Sequence, residues 1–271
     1  MMCNGISLRR LPRLSLCWGF LCAIPGAWAG SVTFSNSQFL AINDGTNPPT
    51  KATPYPSSLV VTGPSGFVVS KVTVQLYGLT HSYPDDIDML LVGPAGQNAV
   101  ILAYVGGGHA VTNISLTLDD DAPSSLPYSG PLVSGTFKPT NRRCSVGACY
   151  TNFPTAPTTT GAPSLQTFKG TNPYGTWNLF VVDDSYPDGG SISNGWSLAV
   201  TVTVPLQIAM QQTNAVLSWP LVGSNFSLQF ATSLTQAIAW SNVLAAPVAS
   251  YGQLLVTNSI AGPARFFRLV Q

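Results

Sequence analysis

The chain contains no glutamate: all ten of its acidic residues are aspartate. Charge of either sign is scarce, at 8% of 271 residues. The eleven basic residues form no stripe able to neutralise a run of phosphates, which excludes nucleic acid as a partner. Histidine is nearly missing, with only His81 and His109. Neither a Gly-x-Ser-x-Gly elbow nor a Gly-Thr-Ser-Met-Ala-Pro segment occurs, so a serine-protease triad has neither its nucleophile nor its base. Beyond residue 29 no apolar run is long enough to cross a bilayer as a helix.

What is present begins with an export signal. Arg9, Arg10 and Arg13 form a positive start, Leu14 to Ile24 is a short apolar stretch, and Pro25-Gly26 breaks it before Ala27-Trp28-Ala29. This is read as a cleaved signal peptide over 1–29, which predicts a secreted or cell-surface protein. Cys17 and Cys22 each follow a Leu, which argues against a lipid anchor. Cleavage after Ala29 leaves about 242 residues (271 less 29), with eight basic residues against ten aspartates. Of the five cysteines only Cys144 and Cys149 then remain. With no further Cys or His nearby, their spacing fits a local disulfide better than zinc. Such a bridge stabilises by only about 2 kcal/mol and pins a loop.

The rest reads as strand and turn. Val72, Val74 and Leu76 alternate with Lys71, Thr73 and Gln75, and Ile114, Leu116 and Leu118 repeat the pattern. Trp196, Leu198, Val200, Val202 and Val204 share a third face. Period-two alternation is the mark of half-buried strands, and no stretch carries a helical stripe. The fold expected is all-β, an antiparallel sandwich or jelly roll over 30–204. Between 122 and 168 the alternation lapses into seven prolines with much Ser, Thr and Gly, so a long surface loop is expected there. Arg142 and Arg143 read as its solvated tip or as an interaction point. From 205 to 271 short apolar runs recur, enough for a second, smaller β-sandwich.

Particular residues carry a resemblance. His81, Asp86-Ile87, Leu91-Val-Gly-Pro-Ala-Gly96, Phe168-Lys-Gly170, Gly175-Thr-Trp177, Asp183 and Trp196-Ser-Leu198 resemble the P domain, or homo B domain, of furin- and kexin-type convertases. That resemblance covers about Tyr55 to Val204 and implies a jelly roll like the galactose-binding domains. It assigns structural places to His81, Gly175, Trp177 and Trp196. It also implies that a serine-endopeptidase label would describe a catalytic domain this sequence does not contain, so the chain itself is read as no enzyme. Leu217-Ser-Trp-Pro220, Trp240-Ser-Asn-Val243 and Arg265-Phe-Phe-Arg-Leu269 are similar to C-terminal modules of exported bacterial proteins with an immunoglobulin or fibronectin III character.

Nine aspartates fall in three groups: Asp85, Asp86, Asp88; Asp119, Asp120, Asp121; and Asp183, Asp184, Asp188. Three readings compete. The carboxylates cap their own turns at strand ends; or Asp86, Asp88, Asp120 and Asp183 gather around one calcium ion; or two of them act as acid and base in glycoside hydrolysis. The function expected is a non-catalytic interaction or scaffolding module with loops ordered by calcium. Carbohydrate binding through Tyr83, Tyr174 and Tyr186 is the alternative, followed by support of a separately encoded subtilisin-like protease. The partner is accordingly a cell-surface protein, a glycan or a protease.

Overall fold

The computed structural model of the protein describes residues 30–143, 152–159, 161–235, 238–259 and 264–271. The export signal and the Cys144–Cys149 pair lie outside the described residues. Regular structure within them is β-strand with short 3-10 turns, and no helix is long and apolar enough to cross a membrane. The chain divides between Thr203 and Val204 into two compact units.

Thirteen strands build the larger unit: β1 (Gly30–Asn36), β2 (Leu40–Ile42), β3 (Thr50–Lys51), β4 (Ser57–Val61), β5 (Val68–His81), β6 (Ile87–Val92), β7 (Asn98–Ala103), β8 (Val111–Leu118), β9 (Gly135–Phe137), β10 (Thr140–Asn141), β11 (Gly175–Asp183), β12 (Gly190–Ile192) and β13 (Trp196–Thr203). One sheet runs β1-β13-β5-β12-β2, with β8 also pairing β5 and β9 pairing β8. The other runs β10-β7-β6-β11-β3, with β4 also on β11. Their inner faces meet in one core that includes Val72, Val74 and Leu76 of β5, Met89 and Leu91 of β6, and Leu179 and Val181 of β11. Trp177 and Trp196 lie fully inside it. Each indole N–H is satisfied, Trp177 Nε1 by the Pro173 carbonyl at 2.9 Å and Trp196 Nε1 by Ser57 Oγ at 3.0 Å. Gly175 has φ 132°, which favours glycine, and its backbone faces the Pro94 ring.

The six residues of β6 are all buried, because the second sheet is covered on its outer face too. There Leu90, Val92, Val100, Ala103, Phe180 and Val182 pack with Phe153. Phe153 belongs to the stretch expected to be a long surface loop. That expectation is corrected here. Leu126, Leu132, Leu165 and Phe168 are buried in the main core, and the stretch adds β9 and β10, each pairing in parallel with its neighbour. Strands of two or three residues are too short to show alternation, so their apolar anchors look isolated in the sequence.

The smaller unit holds a four-stranded sheet, β14 (Gln207–Gln211), β15 (Asn214–Pro220), β19 (Gln253–Ser259) and β18 (Val248–Ser250), in that order. A three-stranded sheet orders β17 (Ser241–Asn242), β16 (Ser227–Ala231) and β20 (Phe266–Val270). Trp219, Leu228, Val256, Phe267 and Leu269 are among its buried side chains, while the half-buried Trp240 carries the Arg268 guanidinium 4.2 Å from its ring centroid.

Leu126→Ala tests the corrected account of the 122–168 stretch. Removing a fully buried leucine should lower the stability of the larger unit by about 2–5 kcal/mol in denaturant unfolding, whereas a surface-loop leucine would cost almost nothing.

Candidate functional site

The register of β6 on β11 organises one end of the larger unit. Asp183 pairs with Ile87 and Val182 with Asp88. Opposed residues share a face and successive residues alternate. Ile87 belongs to the inner core and Val182 to the outer cluster, so Asp183 points inward and Asp88 outward. A 3-10 turn over Pro84–Asp86 leads into β6, and the Asp184 N–H donates to the Asp86 carbonyl at 2.8 Å, tying the two acidic segments together. Two of the three aspartate groups therefore meet at this end, on opposite sides of one sheet.

The inner side holds a buried pair. His81 Nε2 lies 3.0 Å from Asp183 Oδ2, and both side chains are wholly buried. Nδ1 of His81 accepts the Tyr83 N–H at 3.1 Å, which places the ring proton on Nε2, donated to Asp183. The other Asp183 oxygen accepts the Ser185 N–H at 3.1 Å. β12 approaches this pair only because residue 190 is glycine: a Cβ there would strike the Thr80 carbonyl and the His81 ring. Asp86 lies nearby, its carboxyl pushed up to about 6 by burial and then by the charges of Asp183 and Asp188, with His81 opposing and Asp85 adding.

The outer side centres on Asp88, whose carboxyl burial pushes up to about 7. Arg143 opposes that rise, while Asp85, Asp183 and Asp86 add to it. Arg143 Nε lies 3.7 Å from Asp88 Oδ2, its Nη2 pairs with Asp184, and its guanidinium sits 4.9 Å over the Tyr104 ring. Tyr104 in turn packs on Tyr128, with ring centroids 5.4 Å apart. Burial also raises the Asp85 carboxyl, again against Arg143. Tyr83, Tyr128 and Tyr186 remain 41%, 48% and 57% exposed, and the Tyr83 ring leans on Gly108. Arg143 is thus no solvated loop tip: the carboxylates of Asp88 and Asp184 and the Tyr104 ring hold it.

The third aspartate group lies elsewhere. Lys71 bridges Asp119 at 2.9 Å and Asp121 at 2.6 Å, and Asp120 accepts the Leu165 N–H and the Ser164 hydroxyl, both at 3.2 Å. Lys71 and His81 sit ten residues apart on β5, roughly 30 Å along an extended strand. Lys71, Asp120 and Asp121, with Ser70, Gln166 and Lys169, line a separate hollow of about 210 Å³. The expected calcium set of Asp86, Asp88, Asp120 and Asp183 is therefore not brought together. Asp120 is at the far end, and the pleat separates Asp88 from Asp183. Among the described residues no group of three or more His, Cys or Asp side chains is arranged to hold a metal ion. Tyr174 is likewise apart from Tyr83 and Tyr186, since it precedes β11 whereas Asp183 ends it, and its ring packs on Gly63. The sequence offered Arg143 only as an interaction point on a loop, without its acidic partners, and did not single out Tyr104 and Tyr128. The only local signal was the scarcity of basic residues, which makes each one worth placing.

No known protein family matches the chain, and no curated protein matches it. Among the solved structures that align with it are the serine protease of Aeromonas sobria alone and the same protease in complex with its chaperone. Identity is 16% in both, over 64% of this chain, with TM-scores of 0.30 and 0.29. The aligned region spans 27% of the protease chain.

The raised carboxyls set a pH dependence. In an unfolded chain both titrate near about 4, so the native state holds protons the unfolded chain has released, and stability falls as pH rises through about 6 and about 7. Melting without divalent cations should show a declining Tm between about pH 5 and pH 8. Asp88→Asn should flatten the upper part of that decline, and an unchanged slope would contradict the assignment.

The inner pair sets a second expectation. His81→Ala leaves Asp183 buried beside a cavity and should cost about 3 kcal/mol or more in denaturant unfolding.

Proposed function

We propose that this chain is an exported, non-catalytic interaction module of P-domain type. Its working surface is the acidic, tyrosine-rimmed end of the larger unit, where calcium orders the loops. The observation that carries this reading is the closed state of the His81–Asp183 pair. A histidine beside a buried aspartate supplies two of the three members of a hydrolytic triad, and a base needs its second ring nitrogen free for a nucleophile. In His81 that nitrogen accepts the Tyr83 backbone N–H, and the ring is wholly buried. The pair supports a role in joining the two sheets, β5 to β11, and the function moves outward to what the end of the unit exposes.

Exposed there are three tyrosines on three separate segments, around carboxylates short of hydrogen-bond partners. Tyrosine offers a large rigid contact with a polar tip, a residue type enriched where proteins meet. A glycan is the second reading, favoured by the same rim, because sugar rings stack on aromatic faces beside oriented polar groups. The ligand contacts then fall to Tyr83, Tyr128 and Tyr186, with Tyr174 replaced by Tyr128.

Melting the purified protein in calcium and then in chelator tests the calcium part, with a higher Tm expected in calcium. A glycan array and a capture from native cell surfaces test the partner. Binding should weaken several-fold in Tyr83→Ala and Tyr186→Ala while their melts stay unchanged. Retained binding in both variants would move the working surface elsewhere.

A further inference from the structure

Two carboxylate oxygens on the outer side of the acidic end are buried and unsatisfied. Asp88 is 1% exposed, yet among the described residues its Oδ1 has no hydrogen-bond partner, and Asp85 Oδ1 is in the same condition. Buried polar groups are normally paired, and an unpaired buried carboxylate is costly. Arg143 is the cation held there, and it satisfies the pocket only in part. Its Nη2 pairs with Asp184 and its guanidinium lies over Tyr104, but its Nε stops 3.7 Å short of Asp88 Oδ2. That separation delivers charge without a hydrogen bond.

We infer that this pocket is a divalent-cation site whose resident cation is Arg143, with metal and guanidinium excluding each other at Asp88. The inference rests on the calcium reading above and gives it a location and a control. Asp85, Asp88 and Asp184 come from two segments held together by the Asp184 N–H bond to the Asp86 carbonyl. Short, hard carboxylate oxygens are the donors calcium takes, with water and backbone carbonyls completing the shell. The pleat keeps Asp183 and Asp86 out of this set, on the inner side with His81. While the guanidinium lies between the carboxylates, no three of them converge to metal-holding distance among the described residues. An ion therefore enters only as Arg143 leaves. Arginine suits this place-holding role, because its planar guanidinium keeps a stacking surface on Tyr104. The competition lowers the apparent affinity for metal by the fraction of molecules in which the guanidinium is out.

Calorimetric titration with calcium chloride, on the full chain and its variants, reads this directly. Wild type should half-saturate at about millimolar calcium, and Arg143→Gln at least about tenfold lower. Arg143→Lys, which keeps the charge but loses the fork, should fall between them, and it carries the comparison if the glutamine variant does not fold. Adding Asp88→Asn should abolish binding in every background. Equal midpoints in wild type, Arg143→Gln and Arg143→Lys would overturn the competition and leave the calcium reading standing. Binding that survives Asp88→Asn would overturn the location. No heat with calcium in any variant would overturn both this inference and the calcium reading.

Discussion

The pleat of one β ladder governs the acidic end of the molecule. Because β6 and β11 pair antiparallel with Asp183 opposite Ile87 and Asp88 opposite Val182, these two aspartates project from opposite faces of the sheet. Each then has to meet the cost of burial separately. Asp183 faces the first sheet and finds His81 and the Ser185 N–H. Asp88 faces the outer cover and finds only the more distant Arg143. A shift of one residue in the register would exchange these environments, so the backbone pairing, rather than the number of carboxylates, decides which groups act together.

The two sides differ in what they leave undone. On the inner side each hydrogen-bonding atom of the His81–Asp183 pair has a partner, and the result is a rigid tie between β5 and β11. The outer side is underpaired, with Asp85 and Asp88 each carrying a buried oxygen that has no donor among the described residues. Incomplete satisfaction in a stable scaffold marks a place where something else can bind. The tyrosines around it come from the segments after β5, β7 and β11 and from the 122–168 stretch, which is how a sandwich gathers distant residues at one end.

The 122–168 stretch links fold and site. Its leucines and phenylalanines enter the core, its two short strands extend both sheets, and β10 ends at Asn141, two residues before Arg143. The guanidinium is delivered by a segment whose path is fixed by Leu126, Thr140 and Asn141. The Leu126 N–H bonds Thr140 Oγ1 at 3.0 Å, and Asn141 Oδ1 accepts the Arg143 N–H at the same distance.

The strands with long apolar alternation, β5, β8 and β13, were legible from the sequence, because side-chain period is a local property of an extended chain. So was the all-β class. Turn capping, one of three readings open for the aspartates, is met at Asp119 and Asp183, each of which accepts the N–H two residues on. The grouping of the aspartates was also visible, but not its meaning. Which groups meet depends on strand order and register, and these are settled by pairings between residues about a hundred positions apart. Only the tertiary structure could send Asp120 to the far end, set Asp88 and Asp183 back to back, and bring Arg143 to the outer carboxylates. Composition determined that charge would be rare and therefore placed. The pleat and the ladder decided where each charge faces.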